Sequence, residues 1–392
     1  MPIKVVHVIG SGTVGGAENF VYSLARYQHI HDPEIESAIL FRKPKGYYYD
    51  KAIENNIEVF ACKEKIGLVE LWDIVKYFRK FDILHFHGLY PSLFLAAILS
   101  FRPKLYYIHG ARALTKSAKD VFKHVTSVDN GGKFPTFAGL KRFLKRQWFK
   151  IFLKHFVFEI HTPSYYYKNF YQEKYGINED KIKVLPLGVD FTSLKITKNP
   201  DEIKKEFNIS PSTKIVGCVS TFRKLKRIDR LITGFAKLVV KYTEGDYKLL
   251  IVGDGTEREN LEKLVSQYHI ESKVIFAGLR NDVPDFLNVM DIFVLPSEFE
   301  SFSISIVEAM YSKVPVIVFE GSGGAEEIVQ SSGGGMVVKD EEEVNDRMAY
   351  LLENHERARK FGEQGRRYVL NNYSMEIYSK KIKEIYISVS HS

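Results

Sequence analysis

Short apolar runs alternate along this chain with stretches in which apolar residues recur every three or four positions. A short apolar run bounded by turn residues predicts a buried strand, and the second pattern predicts a helix that packs one face against a core. Alternating strands and helices are typical of the α/β class, here with two doubly wound parallel sheets. The predicted strands are Ile3–Ile9, Ser37–Phe41, Glu58–Phe60, Ile83–Phe86, Leu105–Ile108, Phe156–Ser164, Ile182–Leu185, Lys214–Val219, Lys248–Val252, Val274–Gly278, Ile292–Leu295 and Val314–Phe319. The polar segment from Thr192 to Asp201 predicts a linker between two domains.

The stretch from Asp291 to Val318 combines a predicted strand, an acidic loop, a helix and a second strand. In such a βαβ unit ligands bind at the carboxyl ends of the strands, and the start of the helix offers free backbone N–H groups to a phosphate. Glu300 in the loop and Glu308 in the helix could then hold hydroxyl groups on either side of that phosphate. The alternative is structural, because Ser305 and Glu308 have the spacing of a helix capping box and acidic residues near a helix start balance its dipole.

Composition narrows the class of protein. The chain has 392 residues, 45% of them hydrophobic, which is enough for two domains with full cores. Cys62 and Cys218 lie far apart with no paired spacing, which argues against a disulfide framework or a zinc site and fits a reducing compartment. No apolar run approaches the length of a membrane span, and a strand that starts at Ile3 leaves no place for a leader. We therefore expect a cytoplasmic location.

The net charge of +8 has its sharpest asymmetry between Lys133 and Lys154, where no acidic residue occurs. The predicted helix over 139–156 interleaves basic and apolar residues: Lys141, Arg142, Lys145, Arg146, Lys150 and Lys154 with Leu140, Phe143, Leu144, Trp148, Phe149 and Phe152. A basic amphipathic helix with aromatic residues is typical of an element drawn to an anionic membrane surface, here the inner face of the plasma membrane. The alternative is a core-packing helix with a solvated basic face. No nucleic-acid motif accompanies the segment, so nucleic acid is not an expected partner.

Two further patterns carry candidate chemistry. Gly15 and Gly16 lie in a glycine-rich turn between a strand and a helix, which lets backbone approach a ligand closely, although a tight structural turn explains them equally well. His85 and His87 are two positions apart on a predicted strand and therefore face the same way. No third ligand has supporting spacing, so we expect packed or hydrogen-bonded core histidines and no metal site.

The βαβ stretch also contains an ordered set of residues: Pro296, Ser297, Glu300, Glu308, Ala309, Met310, Pro315, Val316 and Ile317. In this order and spacing they resemble the signature of retaining GT-B glycosyltransferases, glycosyltransferase family 4. Other segments resemble the same family, namely Gly15–Glu18, Pro186–Asp190, Val252–Gly255 and Gly323–Glu327. The resemblance implies the GT-B fold, with two Rossmann-like doubly wound domains facing a central cleft. The implied parts are an acceptor-binding domain over 1–191, a nucleotide-sugar-binding domain over 192–372, and a last helix over 373–392 that crosses back to the first domain.

The resemblance also implies residue roles. Arg223 and Lys226 would stabilise the leaving diphosphate, and Glu300 would hold hydroxyls of the donor sugar. His109 would orient that sugar, and Glu308 would bind the ribose. The other implied donor-binding residues are Gly15, Gly16, Gly253, Leu279, Arg280, Asn281, Phe302, Ser303 and Ile304. No metal ligand and no cofactor is implied beyond a nucleotide sugar, a UDP- or GDP-sugar, as co-substrate.

The sequence departs from the family pattern at a few positions. The family's usual Gly-Arg and Lys-Gly are replaced by the closer pair Arg223 and Lys226, with both glycines absent. Ser301 and Ser303 stand where relatives have glycine, and Lys313 occupies a helix end that can require a left-handed backbone. These departures bear on the geometry around the donor and leave the fold prediction unchanged.

The resulting hypothesis is a retaining glycosyltransferase that acts on a glycan or lipid-linked acceptor in bacterial surface polysaccharide or glycolipid synthesis. Two alternatives stay open. One is a GT-B nucleotide-sugar epimerase or hydrolase, which would turn over without an acceptor. The other is a non-enzymatic, membrane-docked nucleotide or glycan binder, against which the combination of Glu300, Glu308, Arg223 and Lys226 argues.

Overall fold

The computed structural model describes residues 1–13, 15–63, 66–88, 90–109 and 147–390 of the chain. The chain divides into two compact units. The first unit comprises Met1–Pro186 together with Tyr378–Ser392, and the second comprises Leu187–Ile377.

The first unit is built on a parallel sheet with strand order β3-β2-β1-β4-β5-β6-β7 in its described part. The strands are β1 (Ile3–Ser11), β2 (Ile35–Lys43), β3 (Glu58–Ala61), β4 (Ile83–Phe86), β5 (Lys104–Tyr107), β6 (Glu159–Thr162) and β7 (Ile182–Val184). The helices between them are α1 (Gly16–His31), α2 (Tyr47–Glu54), α3 (Leu68–Phe78), α4 (Pro91–Leu99) and α5 (Tyr165–Tyr175). A π-helical turn, Phe152–Phe156, precedes β6. The buried residues 5–9 of β1 and 83–86 of β4 are apolar except for His7 and His85, as expected for a sheet covered on both sides.

The last helix of the chain, Met375–Ser390, contributes its residues from Tyr378 onward to the first unit. The Tyr378 ring packs edge-on against Phe20, with 4.9 Å between ring centroids. Further along the helix, the Lys383 ammonium lies 2.9 Å from the Asp32 carboxylate. These contacts attach the C-terminal end of the chain to helix α1 and the turn that follows it.

The second unit is built on a parallel sheet with strand order β10-β9-β8-β11-β12-β13. The strands are β8 (Lys214–Val219), β9 (Tyr247–Val252), β10 (Val274–Gly278), β11 (Ile292–Leu295), β12 (Val316–Phe319) and β13 (Gly335–Val338). The helices are α6 (Pro200–Glu206), α7 (Ile228–Lys241), α8 (Arg258–Gln267), α9 (Val283–Leu287), α10 (Ile304–Tyr311), α11 (Gly324–Ser332), α12 (Glu341–Glu353) and α13 (His355–Asn372). The last helix, α14 (Met375–Ser390), begins in this unit and continues into the first. The strand order reverses direction beside β8 and β11, which is the switch point at which ligands bind in open α/β sheets.

The α/β class with two parallel sheets is confirmed, and several predicted strands have the observed bounds, among them β8, β10 and β11. Two predictions of local structure were wrong. The strand predicted from Phe156 begins only at Glu159, because Phe156 still belongs to the π-helical turn. The predicted linker also contains the start of helix α6, whose first turn is closed by a capping box on Asn199.

Candidate functional site

Three loops of the second unit, which follow β8, β9 and β11, are joined by backbone hydrogen bonds. The Phe222 N–H donates to the Asp254 carbonyl at 2.9 Å, and the Glu298 N–H donates to the Leu225 carbonyl at 3.0 Å. Because the three strands are neighbours in a parallel sheet, their loops emerge at the same edge. The side chains of these loops are therefore held in a fixed relation to one another.

Two glycines allow chain segments at this edge of the sheet to approach one another closely. Gly253 has a φ of 131°, and a Cβ there would lie 1.9 Å from the Ser220 carbonyl oxygen. A Cβ on Gly324 would lie 2.3 Å from the carbonyl oxygen of Ser301. Gly253, a predicted donor-binding residue, thus packs against Ser220 and Phe222 of the loop after β8.

Lys226 and Glu300 meet at this edge of the sheet. The Lys226 ammonium lies 2.5 Å from Glu300 Oε1, and the Ser297 hydroxyl donates to the same oxygen at 2.7 Å. The Glu300 backbone is fixed as well, since its N–H donates to Ser322 and its carbonyl accepts from Gly324, both at 2.9 Å. An exposed fraction of 26% for the lysine side chain and 13% for the glutamate leaves the pair accessible to a ligand. The structure thus brings together two of the predicted catalytic residues.

Helix α10 begins directly after this pair. Its N-cap is Ser303, whose hydroxyl accepts from the Ile306 N–H at 3.4 Å. The capping-box explanation of Ser305 and Glu308 is therefore wrong, because the cap lies two residues earlier and Glu308 is beyond the first turn. Within the described part of the chain, no side chain donates a hydrogen bond to the Glu308 carboxyl group, and burial raises its pKa to about 7.

Arg223 also lies in the loop after β8. Its side chain is exposed, and among the described residues no carboxylate pairs with it. Arg227, by contrast, is engaged by Asp229, with 3.0 Å between Nη2 and Oδ2. Arg223 and Lys226 are thus the two predicted leaving-group residues that could turn toward an anion, and exposed Lys224 lies in the same loop.

A surface cavity of about 550 Å³ lies beside the loop after β10 and is lined by Ser193, Lys195, Thr197, Leu279, Asn281 and Pro284, among others. Leu279 is 77% exposed at this cavity. Arg280 also lines the cavity, and its guanidinium is held by carboxylates: it forms two bonds to Asp282, at 2.8 and 2.7 Å, and lies 3.0 Å from Glu206. These ion pairs give Arg280 a structural role in this loop, beside Leu279 and Asn281.

Two other predicted donor-binding residues also have structural contacts. Phe302 is 2% exposed and packs edge-on against Tyr373, with 5.1 Å between ring centroids. Ile304 is the partly buried first residue of helix α10. Of the residues that the sequence signature places around this loop, only some have side chains that can face a ligand.

In the first unit, Gly15 is the N-cap of helix α1 and Gly16 is its first residue. A Cβ on Gly15 would lie 2.4 Å from a carboxylate oxygen of Glu18, so the glycine lets this carboxylate fold back over the start of the helix. The turn keeps backbone N–H groups at a helix start, which suits an anion.

His109 follows strand β5 and is hydrogen-bonded to His87, with 2.8 Å between His109 Nε2 and His87 Nδ1. Burial lowers the pKa of His109 to about 3. His87 in turn lies 3.0 Å from His7, measured between His87 Nε2 and His7 Nδ1. The interpretation of His85 and His87 as buried, hydrogen-bonded histidines is confirmed.

His7 is the residue of this cluster that sequence reasoning missed. It is fully buried, and it lies opposite His85 in the register of β1 and β4. One ring nitrogen from each of His7, His85 and His87 lies within 4.8 Å of the others, so the three could hold a metal ion. The signal in the sequence was a lone histidine within an apolar strand, which becomes informative only when the strand order is known.

The predicted basic helix lies partly outside the described residues, which begin again at 147. Its described end is amphipathic: Phe152 is fully buried and stacks on Phe94 at 3.8 Å, whereas Trp148 and Ile151 are 37% and 44% exposed. Lys150 and Lys154 lie on the same short segment. Among the helices of the described ranges, none is both long and apolar enough to span a membrane.

Two family models match the chain. Residues 14–193 match Glycosyltransferase Family 4, and residues 199–368 match Glycosyl transferases group 1. Among curated proteins, the chain is similar to N-acetyl-alpha-D-glucosaminyl L-malate synthase of Bacillus anthracis, with 37% identity over 190 residues, which are 48% of this chain and 49% of that protein. The match thus spans about half the length of this relative.

Solved structures resemble the chain over nearly its whole length. A glycosyltransferase from Rickettsia africae has a TM-score of 0.78 at 19% identity and covers 99% of this chain and 98% of its own. Anabaena HepE, solved with UDP and glucose, has a TM-score of 0.78 at 16% identity and covers 98% of this chain and 100% of its own. At these identities the likeness establishes a shared fold.

Proposed function

Because this chain belongs to the GT-B glycosyltransferases of the family 4 type, we propose that it moves a sugar from a nucleotide-sugar donor to an acceptor hydroxyl, with retention of configuration at the anomeric carbon. The observation that carries this proposal is the 2.5 Å contact between Lys226 and Glu300 at the ends of neighbouring strands. Glycosyl transfer from a diphosphate needs positive charge on the leaving group and acceptors for the sugar hydroxyls. These two residues supply both.

In the proposed reaction the bond between the anomeric carbon and the diphosphate oxygen breaks as the acceptor hydroxyl attacks from the same face. A phosphate oxygen of the donor takes the acceptor's proton. Lys226 and Arg223 neutralise the departing diphosphate, and Glu300 holds hydroxyls of the sugar. Since Ser297 also donates to Glu300, the carboxylate stays oriented when Lys226 turns toward the phosphate.

Glu308 is proposed to accept hydrogen bonds from the ribose of the donor. The absence of a donor to its carboxyl group within the described residues, together with its raised pKa, leaves it ready to gain stabilisation from such hydroxyls. Leu279 and Asn281, which line the 550 Å³ cavity, are proposed to lie against the base. UDP is the first nucleotide to test, because the Anabaena neighbour was solved with it.

We propose that the first unit contributes His109, Gly15 and Gly16. The proposed acceptor is a glycan or lipid-linked molecule in polysaccharide or glycoconjugate synthesis.

The first experiment is a thermal-shift panel of UDP-, GDP- and ADP-sugars and the free nucleotides, with wild type and Glu300→Gln. A ligand that binds the folded state raises the melting temperature with concentration, so one nucleotide should stand out. We expect Glu300→Gln to keep its fold and its nucleotide shift but to lose roughly 100-fold or more in transfer. Full transfer by this variant would refute the assignment of Glu300.

The same panel separates the alternative functions. A donor that is consumed equally fast without any acceptor would indicate an epimerase or hydrolase. A nucleotide or glycan that binds without turnover under every acceptor condition would favour a binding protein.

We further propose that the chain docks on anionic membranes through the segment that includes Trp148, Ile151 and Lys154. The support is the exposure of the first two side chains beside basic residues, while Phe152 anchors the segment in the core. Sedimentation with phosphatidylglycerol vesicles tests this, with Trp148→Ser and Ile151→Ser combined as the variant. Binding that is unchanged by these substitutions, or that is equal on neutral vesicles, would contradict it.

A further inference from the structure

The loops that leave β1, β2 and β3 lie side by side at one edge of the first sheet. The three strands are parallel neighbours, so their carboxyl ends share that edge. The Tyr48 N–H donates to the Gly12 carbonyl at 2.7 Å and joins the first loop to the second. The Arg42 guanidinium donates to the Lys63 carbonyl at 3.1 Å and joins the second loop to the third. Because adjacent strands are about 4.8 Å apart, the three loops extend over roughly 10 Å.

The middle loop of this edge is basic. Arg42, Lys43 and Lys45 lie within four residues of the chain, and no acidic residue separates them. Lys43 and Lys45 are exposed. Lys63 in the third loop is 72% exposed and lies 3.3 Å from Glu70, a carboxylate that also accepts from the backbone N–H at the start of helix α3. The middle of the edge therefore presents positive charge to solvent.

The start of helix α3, which follows the third loop, is apolar on its outer side. Leu68, Val69 and Trp72 are 86%, 70% and 49% exposed. Trp72 lies four and three residues after the other two, so the three side chains share one helix face. The same helix buries a separate set of apolar residues in its later turns. A contiguous exposed apolar patch of this kind marks an interaction site.

The chemistry of the edge thus changes in a fixed order. The glycine turn of Gly15 and Gly16 follows β1, the lysines follow β2, and the apolar patch of helix α3 follows β3. A hydroxyl-bearing head group joined through phosphate to a lipid chain has the same three parts in the same order. We propose that this edge binds a lipid-linked phosphate as the acceptor, with the phosphate at Lys43 and Lys45 and the chain on the apolar patch. This assignment rests on the proposed function in one respect, namely that the head group receives the sugar beside the glycine turn.

A single lipid molecule fits this surface better than an extended bilayer does. Asp50 on helix α2 and Asp73 on helix α3 are both exposed. An anionic bilayer would bring like charge to both carboxylates, which is unfavourable. One ligand molecule needs to contact only the lysines and the apolar patch, and it gains from charge and from apolar burial together.

Trp72 provides a reporter within the patch. The chain has two tryptophans, so Trp148→Phe leaves Trp72 as the only source of tryptophan fluorescence. The full chain with this substitution is titrated with farnesyl diphosphate, a soluble lipid phosphate without a sugar. We expect a saturable blue shift of the Trp72 emission. Farnesol, which lacks the phosphates, should bind roughly tenfold more weakly or less, the scale of one hydrogen bond to a charged group.

Variants in the same background separate the two kinds of contact. Lys43→Gln combined with Lys45→Gln should weaken the binding of farnesyl diphosphate roughly tenfold and leave that of farnesol unchanged. Leu68→Ser combined with Val69→Ser should weaken the binding of both. Val240→Ser is the matched control, because Val240 is 75% exposed on helix α7 of the second unit, and this substitution should change neither affinity.

Three results would overturn the proposal. One is equal affinity for farnesol and farnesyl diphosphate, and another is an affinity for farnesyl diphosphate that the lysine substitutions do not change. The third is a Trp72 shift with phosphatidylglycerol vesicles but not with farnesyl diphosphate, which would show that the patch contacts a bilayer. Because the readout needs no sugar donor, a chain that transfers sugar without any Trp72 shift would refute this assignment alone. A chain that gives the shift but transfers no sugar would refute the proposed function alone.

Discussion

The two units present their candidate residues in opposite electrostatic settings. In the second unit Lys226 and Glu300 form an ion pair whose side chains are 26% and 13% exposed. In the first unit His87 is 3% exposed and neutral, and its partners are other rings. A partly exposed ion pair can exchange partners when a charged ligand arrives, whereas a buried neutral cluster has no charge to offer such a ligand. The comparison is therefore one of charge and exposure, between a partly exposed ion pair and a buried, neutral cluster of rings.

The largest effect should follow from removing the cation of the ion pair. Lys226→Met should lower kcat by roughly 100- to 1,000-fold, because positive charge on the leaving group acts mainly in the transition state. Lys224→Met is the matched control, since Lys224 is an exposed lysine two residues earlier. Equal losses in the two variants would show that only the net charge of the loop matters and would remove the distinction between the units.

A second large effect concerns Glu308, whose pKa is raised by burial from 4.5 to about 7. Below pH 4.5 the carboxyl is protonated in both the folded and the unfolded state, so it does not affect stability. Between pH 4.5 and 7 the unfolded chain ionises first, and the free energy of unfolding therefore falls by up to about 3 kcal/mol as pH rises. Glu308→Gln should match wild type near pH 4 and be more stable near pH 8, as measured by thermal melting.

Nucleotide binding should offset the loss of stability that ionisation of the Glu308 carboxyl causes. If ribose hydroxyls donate to the Glu308 carboxylate, the donor binds the ionised form, and the affinity for UDP should rise about tenfold from pH 6 to pH 8. The phosphate of UDP also titrates in this range, so the comparison is with Glu308→Gln, which reports the phosphate alone. Parallel pH profiles in the two proteins would exclude Glu308 from the binding site.

A smaller effect concerns the hydrogen bond between the last helix and buried His85 in the first unit. Tyr386→Phe removes the 2.8 Å bond to His85 Nδ1 and leaves a buried polar atom unpaired, which should cost about 1–3 kcal/mol. Tyr378→Phe is the control on the same helix, because the Tyr378 hydroxyl is buried with no hydrogen-bond partner among the described residues. Its removal should be neutral or stabilising. Equal melting temperatures for the two variants would show that the His85 bond adds nothing.

Sequence patterns predicted most strands of the second unit because the residues that define each strand are neighbours in the sequence. An apolar run defines β11, and the spacing of Glu300 and Glu308 marks the loop and helix that follow. The contact between Lys226 and Glu300 was not predictable from spacing, since it depends on β8 and β11 being neighbours. The ion pair of Arg280 was also hidden, because its partner Glu206 ends a helix that only begins in the predicted linker.

The first unit was harder to predict for a different reason. His7, Gln28 and His87 are far apart in sequence, and each taken alone is a polar residue in an apolar segment. Only the register of β1 against β4 brings the histidines together, and only helix α1 places Gln28 beside them. Buried polar networks depend on tertiary packing, so their members carry no local pattern.

The smallest predicted effect lies at the far end of helix α10, behind the ion pair. Lys313 follows this helix with a φ of 61°, a left-handed conformation that costs a residue with a side chain about 1 kcal/mol relative to glycine. Lys313→Gly should therefore raise the free energy of unfolding by somewhat less than about 1 kcal/mol, because glycine also loses more entropy on folding.

Ser312→Gly is the matched control for Lys313→Gly, since Ser312 is the neighbouring residue and has a φ of −77°. This substitution should lower the stability by about 0.5–1 kcal/mol. Opposite signs at adjacent positions would show that the backbone conformation is responsible. If both variants are destabilised, the left-handed conformation at Lys313 is held by contacts of its side chain, and the end of this helix depends on packing as much as the histidine network of the first unit does.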